Sequence, residues 1–208
     1  RLRKLPGGTT DAQWAAKAIA MADRAHKNGQ TFAVRIWASA VTDPATGTEY
    51  WRPGARWDDP AQREILMDAY RYYADTYAAH IDRIITHWSD LGGVFQSVEE
   101  GCTSTIETAL EQHNVVAGLF REKNPHISTA FNLWGIKAGP WSPSHPYEAW
   151  PGYENINSIL EAGILPHDTQ IAVTEWGGSV NTKQIEQIHE AGYAPAVWAY
   201  SMNHVLTR

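Results

Sequence analysis

The chain has 208 residues, 43% of them hydrophobic and 19% charged, with a formal net charge of -6 and a pI near 5.8. That is enough chain for one core of ordinary size. The mild acidity argues against a nucleic-acid partner, which attracts concentrated Lys and Arg, and no apolar run approaches the roughly 20 residues that span a bilayer. Cys102 is the only cysteine, so an intramolecular disulfide is excluded, and a small buried residue is the reading for it.

The basic opening Arg1–Thr10 passes through Pro6-Gly7-Gly8 and reads as a loop. A helix follows from Thr10 or Asp11 to Lys27, with Trp14, Ala15, Ala18 and Ala22 at helical spacing and Asn28-Gly29 as its stop. The β-rich run Thr31–Trp37 is the first strand. The segment from Ala38 to Pro60 is long for a βα connection, and long ordered loops usually serve function. Asp59-Pro60 opens a long helix from Ala61 to Trp88 with a break near Ala79; His80 and His87 then lie seven apart on one helix, which is no metal pair. Val94–Glu99 is a strand, and Ser104 or Thr105 begins a helix ending near Asn124-Pro125. Ile127–Leu133 is a strand, Gly135–Gly152 a Pro/Trp-rich loop and Tyr153–Ala162 a helix. Thr169–Thr174 is a strand, Thr182–Ala191 a helix, and Ala194–Tyr200 the last strand. Strands alternating with helices imply a parallel sheet with right-handed crossovers. The expected fold is therefore α/β: one parallel (β/α) barrel of the TIM type spanning 1–208, incomplete or truncated at its N-terminus.

Polar and aromatic residues gather at the C-terminal ends of these strands, where barrels build their active sites. Val94-Phe-Gln-Ser-Val-Glu99-Glu100 ends in two carboxylates. Ile171-Ala-Val-Thr-Glu175 ends in one, followed by Trp176. Asn132 and Trp134 end the Ile127 strand, and Trp198 sits in the last. Two carboxylates facing each other across a sugar are what glycoside hydrolysis requires. One protonates the leaving oxygen, and the other attacks the anomeric carbon or activates water. Adjacent side chains alternate along a strand, so at most one of Glu99 and Glu100 faces the cleft. Ten tryptophans and nine tyrosines supply rings for stacking on sugar faces. No His-Glu-x-x-His, Gly-x-Gly-x-x-Gly or Gly-x-Ser-x-Gly occurs, so neither a metal nor a cofactor is expected.

These strand ends resemble those of the clan of retaining (β/α)8-barrel glycoside hydrolases. Val173-Thr-Glu175-Trp-Gly177 is similar to the run that carries the clan's nucleophile at the end of strand seven, and Trp198 fits the Trp of the next strand. Phe95-Gln-Ser-Val-Glu99-Glu100-Gly101 stands where the clan has Asn-Glu-Pro at strand four, with Glu99 in the Asn place and Gly101 in the Pro place. Ser144-His145-Pro146-Tyr147 is similar to the clan's His-x-Tyr. The resemblance covers roughly Asp11 to Asn203, with two further strands expected before Asp11. It implies Glu175 as nucleophile and Glu100 as acid/base. Arg35, Trp37, Glu99, Asn132, Trp134, His145, Tyr147, Trp176 and Trp198 would bind substrate. The implied ligand is a β-linked oligo- or polysaccharide, and a secreted or periplasmic setting suits it. Self-association or N-terminal residues would complete the barrel. The alternative is a non-catalytic carbohydrate-binding or structural barrel.

Overall fold

A computed structural model of the protein describes residues 11–50, 54–87, 106–133, 153–175 and 182–199. Helix α1 (Asp11–Lys27) leads into strand β1 (Ala33–Trp37), then the short β2 (Val41–Thr42) and β3 (Glu49–Tyr50). Helix α2 (Pro60–Tyr77) precedes β4 (Arg83–His87), and α3 (Ile106–Lys123) precedes β5 (Ser128–Asn132). Then come α4 (Tyr153–Ala162), β6 (Gln170–Glu175), α5 (Thr182–Glu190) and β7 (Ala194–Ala199). Five strands form one sheet in the order β1-β4-β5-β6-β7, every neighbouring pair parallel. Parallel strands in chain order, joined through helices, are the arrangement of a (β/α) barrel.

Local chemistry explains the boundaries. After α1 the backbone turns at Gly29 with φ 68°, a conformation that glycine adopts without the Cβ clash of other residues. Asp59 caps α2, its side chain accepting from the N–H groups of Ala61 and Gln62. Pro60 at the first helical position gives up a donor that would have had no partner.

Two sequence expectations are corrected here. The expected helix Ala61–Trp88 is the helix α2 followed by the strand β4. Past Ala78 the chain turns through His80, whose N–H bonds the Tyr77 carbonyl, and runs into the β-branched Ile84-Ile85-Thr86. The Asp82 carboxylate fixes the switch, accepting from the Phe32 N–H at 2.7 Å with His26 Nε2 2.8 Å away. Those two partners hold its carboxyl below the usual carboxylate range. The segment read as a loop from Ala38 to Pro60 contains the antiparallel pair β2–β3. The expected strand Val94–Glu99 lies outside the described residues, and the place between β1 and β5 is taken by β4.

The helices cover one face of the sheet in two clusters. Ile36 and Ile84 pack with Leu66, Tyr70 and Ala74 of α2 and with Phe120 of α3. Phe131, Ile171 and Val173 pack with Leu110, Ile156, Ile159 and Ile188. Burying each such large side chain contributes roughly 1.5–3 kcal/mol relative to exposure. The opposite face carries every second residue of each strand. Its successive rows are Arg35, Ile85, Ala130, Gln170 and Ala194, then Trp37, His87, Asn132, Ala172 and Ala196.

Candidate functional site

The second of those rows lies at the C-terminal ends of β1, β4 and β5. Its first members touch. The Trp37 ring meets His87 edge-on, with centroids 4.8 Å apart and planes at 73°. The Arg35 guanidinium lies over Trp37, 4.8 Å from the ring centroid, a cation–π arrangement. Parallel pairing sets this up, because Trp37 and His87 are register partners and Arg35 is two residues earlier on the same face. His87 is almost fully buried. Burial, assisted by the Arg35 charge, pushes its imidazole down to about 3, so the ring is neutral near pH 7. Asn132 is wholly buried at the same level of β5.

A second set of buried groups fixes this end of the sheet from the helix side. The Tyr70 hydroxyl of α2 donates a short hydrogen bond to the carbonyl of Ala38, the residue after Trp37. Gln112 of α3 donates to the Tyr70 oxygen at 3.1 Å and lies 3.4 Å from the same carbonyl. Burial pushes the Tyr70 phenol up, so it stays a donor. One residue before His87, the Thr86 hydroxyl lies 2.7 Å from His113 Nδ1. Burial holds His113 down to about 3, with the Arg121 charge adding to the effect. Ala38 N–H bonds the His87 carbonyl at 2.8 Å, so both braces act on the β1–β4 pair that carries Trp37 and His87.

No protein-family model and no curated protein matches the chain. Among solved structures it is similar to an endoglucanase, at 11% identity and a TM-score of 0.44, over 96% of this chain and 74% of that one. A likeness that distant assigns no reaction.

The expected site residues divide sharply. Arg35 and Trp37 are in contact, and Asn132 shares the row of Trp37. Glu175 is the last residue of β6, with Ala199 as its register partner, and Trp198 pairs with Thr174; the side chains of Glu175 and Trp198 lie outside the described residues. Glu99, Glu100, Trp134, His145, Tyr147 and Trp176 lie outside them entirely. The strand ending at Glu175 bonds directly to β5.

His87 was the residue that sequence reasoning missed, because it was assigned to a helix. The signal was present in Ile84-Ile85-Thr86, a β-branched run favouring a strand, with His87 at its end. His80, its expected partner on a helix face, instead sits in the turn after α2. Among the described residues, no three His, Cys, Asp or Glu side chains gather as a metal site would require, and no helix is long and apolar enough to cross a membrane.

Proposed function

We propose that the protein hydrolyses a β-linked oligo- or polysaccharide with retention of configuration, at the end of the sheet where Trp37, His87 and Asn132 lie. The observation that carries this reading is connectivity. Glu175 ends β6, and Glu100 belongs to the connection leaving the C-terminal end of β4. Glu175 thus ends at the rim on which parallel α/β sheets build their sites, and Glu100 falls in the sequence between β4 and α3. β4 and β6 are two ladder steps apart, or roughly 10 Å at about 4.8 Å per step. A retaining pair needs a separation of about 5 Å.

In this reading Glu175 attacks the anomeric carbon while Glu100 protonates the leaving oxygen. Glu100 then takes a proton from water as the glycosyl-enzyme is hydrolysed. Trp37 stacks on a sugar ring, and Arg35 supplies the positive charge that keeps a nearby nucleophile ionised. Asn132, Trp134, His145, Tyr147, Trp176, Trp198 and Glu99 complete the substrate contacts, with His87 added as a neutral hydrogen-bonding ring.

The test is a panel of aryl glycosides and polysaccharides, with sugar release measured. Glu175→Gln should abolish turnover on every substrate. Glu100→Gln should retain activity on substrates with good leaving groups, and azide should accelerate it, giving a glycosyl azide of retained configuration, since azide needs no general base. Azide rescue of Glu175→Gln with retention would reverse the two roles, because it requires a glycosyl-enzyme formed on another carboxylate. Glu99 and Gly101 standing where the clan has Asn and Pro favours a second reading, a barrel that binds carbohydrate without cleaving it. No turnover across the panel, with saturable polysaccharide binding that Trp37→Ala weakens, would establish that reading instead.

A further inference from the structure

A groove of about 630 Å³ runs beside β1, between α1 and α2, a volume within the roughly 300–1,000 Å³ of ligand sites. Arg35 and Trp37 line it, so it is continuous with the candidate site at the end of the sheet. One arrangement occurs twice in its wall. Lys17 of α1 lies over the Trp14 ring, 5.6 Å from the centroid, as Arg35 lies over Trp37. Trp14 is 48% exposed, Trp37 is partly exposed, and both cations are exposed. The two pairs also stand at one level. The chain leaves α1, turns back at Gly29 and enters β1. Trp14 is then roughly 20 Å along the helix from that turn, and Trp37 roughly 26 Å along the strand.

We infer that this groove holds a uronate-bearing stretch of polysaccharide, with sugar rings against Trp14 and Trp37 and their carboxylates on Lys17 and Arg35. That the ligand is a polysaccharide rests on the function proposed above; its acidic character rests on the groove. Charge carries it. The chain as a whole is acidic, at -6, yet the described residues lining the groove include two cations and no carboxylate. The acids flanking Tyr72 on α2 are engaged elsewhere, Asp68 by Arg71 and Asp75 by Lys123. A neutral glucan would use the rings and leave both charges idle. A uronate offers an apolar ring face to an indole and, beside it, a carboxylate to an ammonium or guanidinium, which donates strong charge-assisted hydrogen bonds. An acidic peptide has no flat apolar face next to each carboxylate and matches the repeated pair less well.

The test is calorimetric titration of the full chain with two soluble β-1,4-glucans of equal length, one neutral and one oxidised to the uronate at C6. The oxidised chain should bind about tenfold tighter at low salt, and the preference should shrink at about 0.5 M salt. Lys17→Gln should cut the preference about threefold without changing affinity for the neutral chain, and Lys17→Arg should keep it. Trp14→Ala should weaken both polymers about five- to tenfold. Trp14 and Lys17 are exposed, so these variants should fold as the parent does. Equal affinity for the two glucans, an undiminished preference in Lys17→Gln, or no binding of the oxidised chain overturns the inference. A dimer that Trp14→Ala dissociates overturns it too, assigning the groove to a second copy. Binding is read without turnover, so the two proposals fail separately. A parent that binds the uronate chain and cleaves nothing sinks hydrolysis alone, whereas cleavage with no uronate preference sinks this inference alone.

Discussion

Tyr70→Phe tests the claim that buried hydrogen bonds to Ala38 hold the end of β1 in place. The substitution keeps the ring, which is 1% exposed, and removes only the hydroxyl. Ala38 loses its short donor, keeping the longer Gln112 contact at 3.4 Å, and Gln112 loses the acceptor it had at 3.1 Å. Leaving buried polar groups short of partners costs about 1–3 kcal/mol. For a chain of this size 1 kcal/mol is worth roughly 2–4 °C in Tm, so a fall of roughly 2–12 °C is expected in thermal unfolding followed by far-UV circular dichroism. Tyr70 and Gln112 act as a unit, so Gln112→Leu should cost less in the Tyr70→Phe background than in the parent, by at least about 0.5 kcal/mol. The near-UV tryptophan signal should change too, because Trp37 adjoins the released carbonyl. A Tyr70→Phe protein within about 0.5 kcal/mol of the parent, or a cycle additive within about 0.3 kcal/mol, would refute the reasoning.

His87 and His113, both held to about 3 in the fold, return to about 6.5 when unfolded. Unfolding between those values takes up protons, so their contribution to stability is complete above pH ~6.5 and is lost as pH falls towards 3. His113→Gln should therefore flatten urea-derived stability against pH by about 1.4 kcal/mol per unit around pH 4–5.5; an unchanged slope would count against a neutral buried ring. Gly54→Ala would bring a Cβ to 2.5 Å from Ser39 Cβ and 3.0 Å from its carbonyl oxygen. Overpacking of that kind costs roughly 1–3 kcal/mol, and a variant as stable as the parent in chemical denaturation would show that the loop after β1 yields freely. Glu175→Gln should lose all turnover while keeping the parent's Tm within a few degrees, which separates chemistry from folding.

Much of the fold was legible because it is written in local signals. Gly29 and Asp59-Pro60 mark helix ends by backbone geometry and capping, and both lie where expected. β4 was hidden because only the short turn 78–82 separates it from α2, and Ile81, Ile84 and Ile85 continue the apolar spacing of the helix. What ends the helix there is a partner distant in sequence. Asp82 bonds Phe32 on the far side of α2, and no window of neighbouring residues contains that bond. The site follows the same division. Arg35 over Trp37 is an i, i+2 pair on one strand face and could be foreseen. Trp37 against His87 depends on the register of two strands, which the sequence leaves open until β4 is recognised.

The sheet order β1-β4-β5-β6-β7 also bears on how the molecule is assembled. Each strand joins one already made, so the sheet can grow in the direction of synthesis without waiting for distant partners. The steps are unequal. Closing β6 onto β7 brings together Gln170 and Ala194, whereas closing β1 onto β4 joins Ala33 to Arg83, about twice the loop. Each doubling of a loop adds only about 0.6 kcal/mol of closure entropy. The β1–β4 closure offsets that with the Asp82 bridge to Phe32 and His26, made at the point where the long loop ends. A chain carrying Asp82→Ala would then fold more slowly chiefly at its first pairing, with the C-terminal units able to close on schedule.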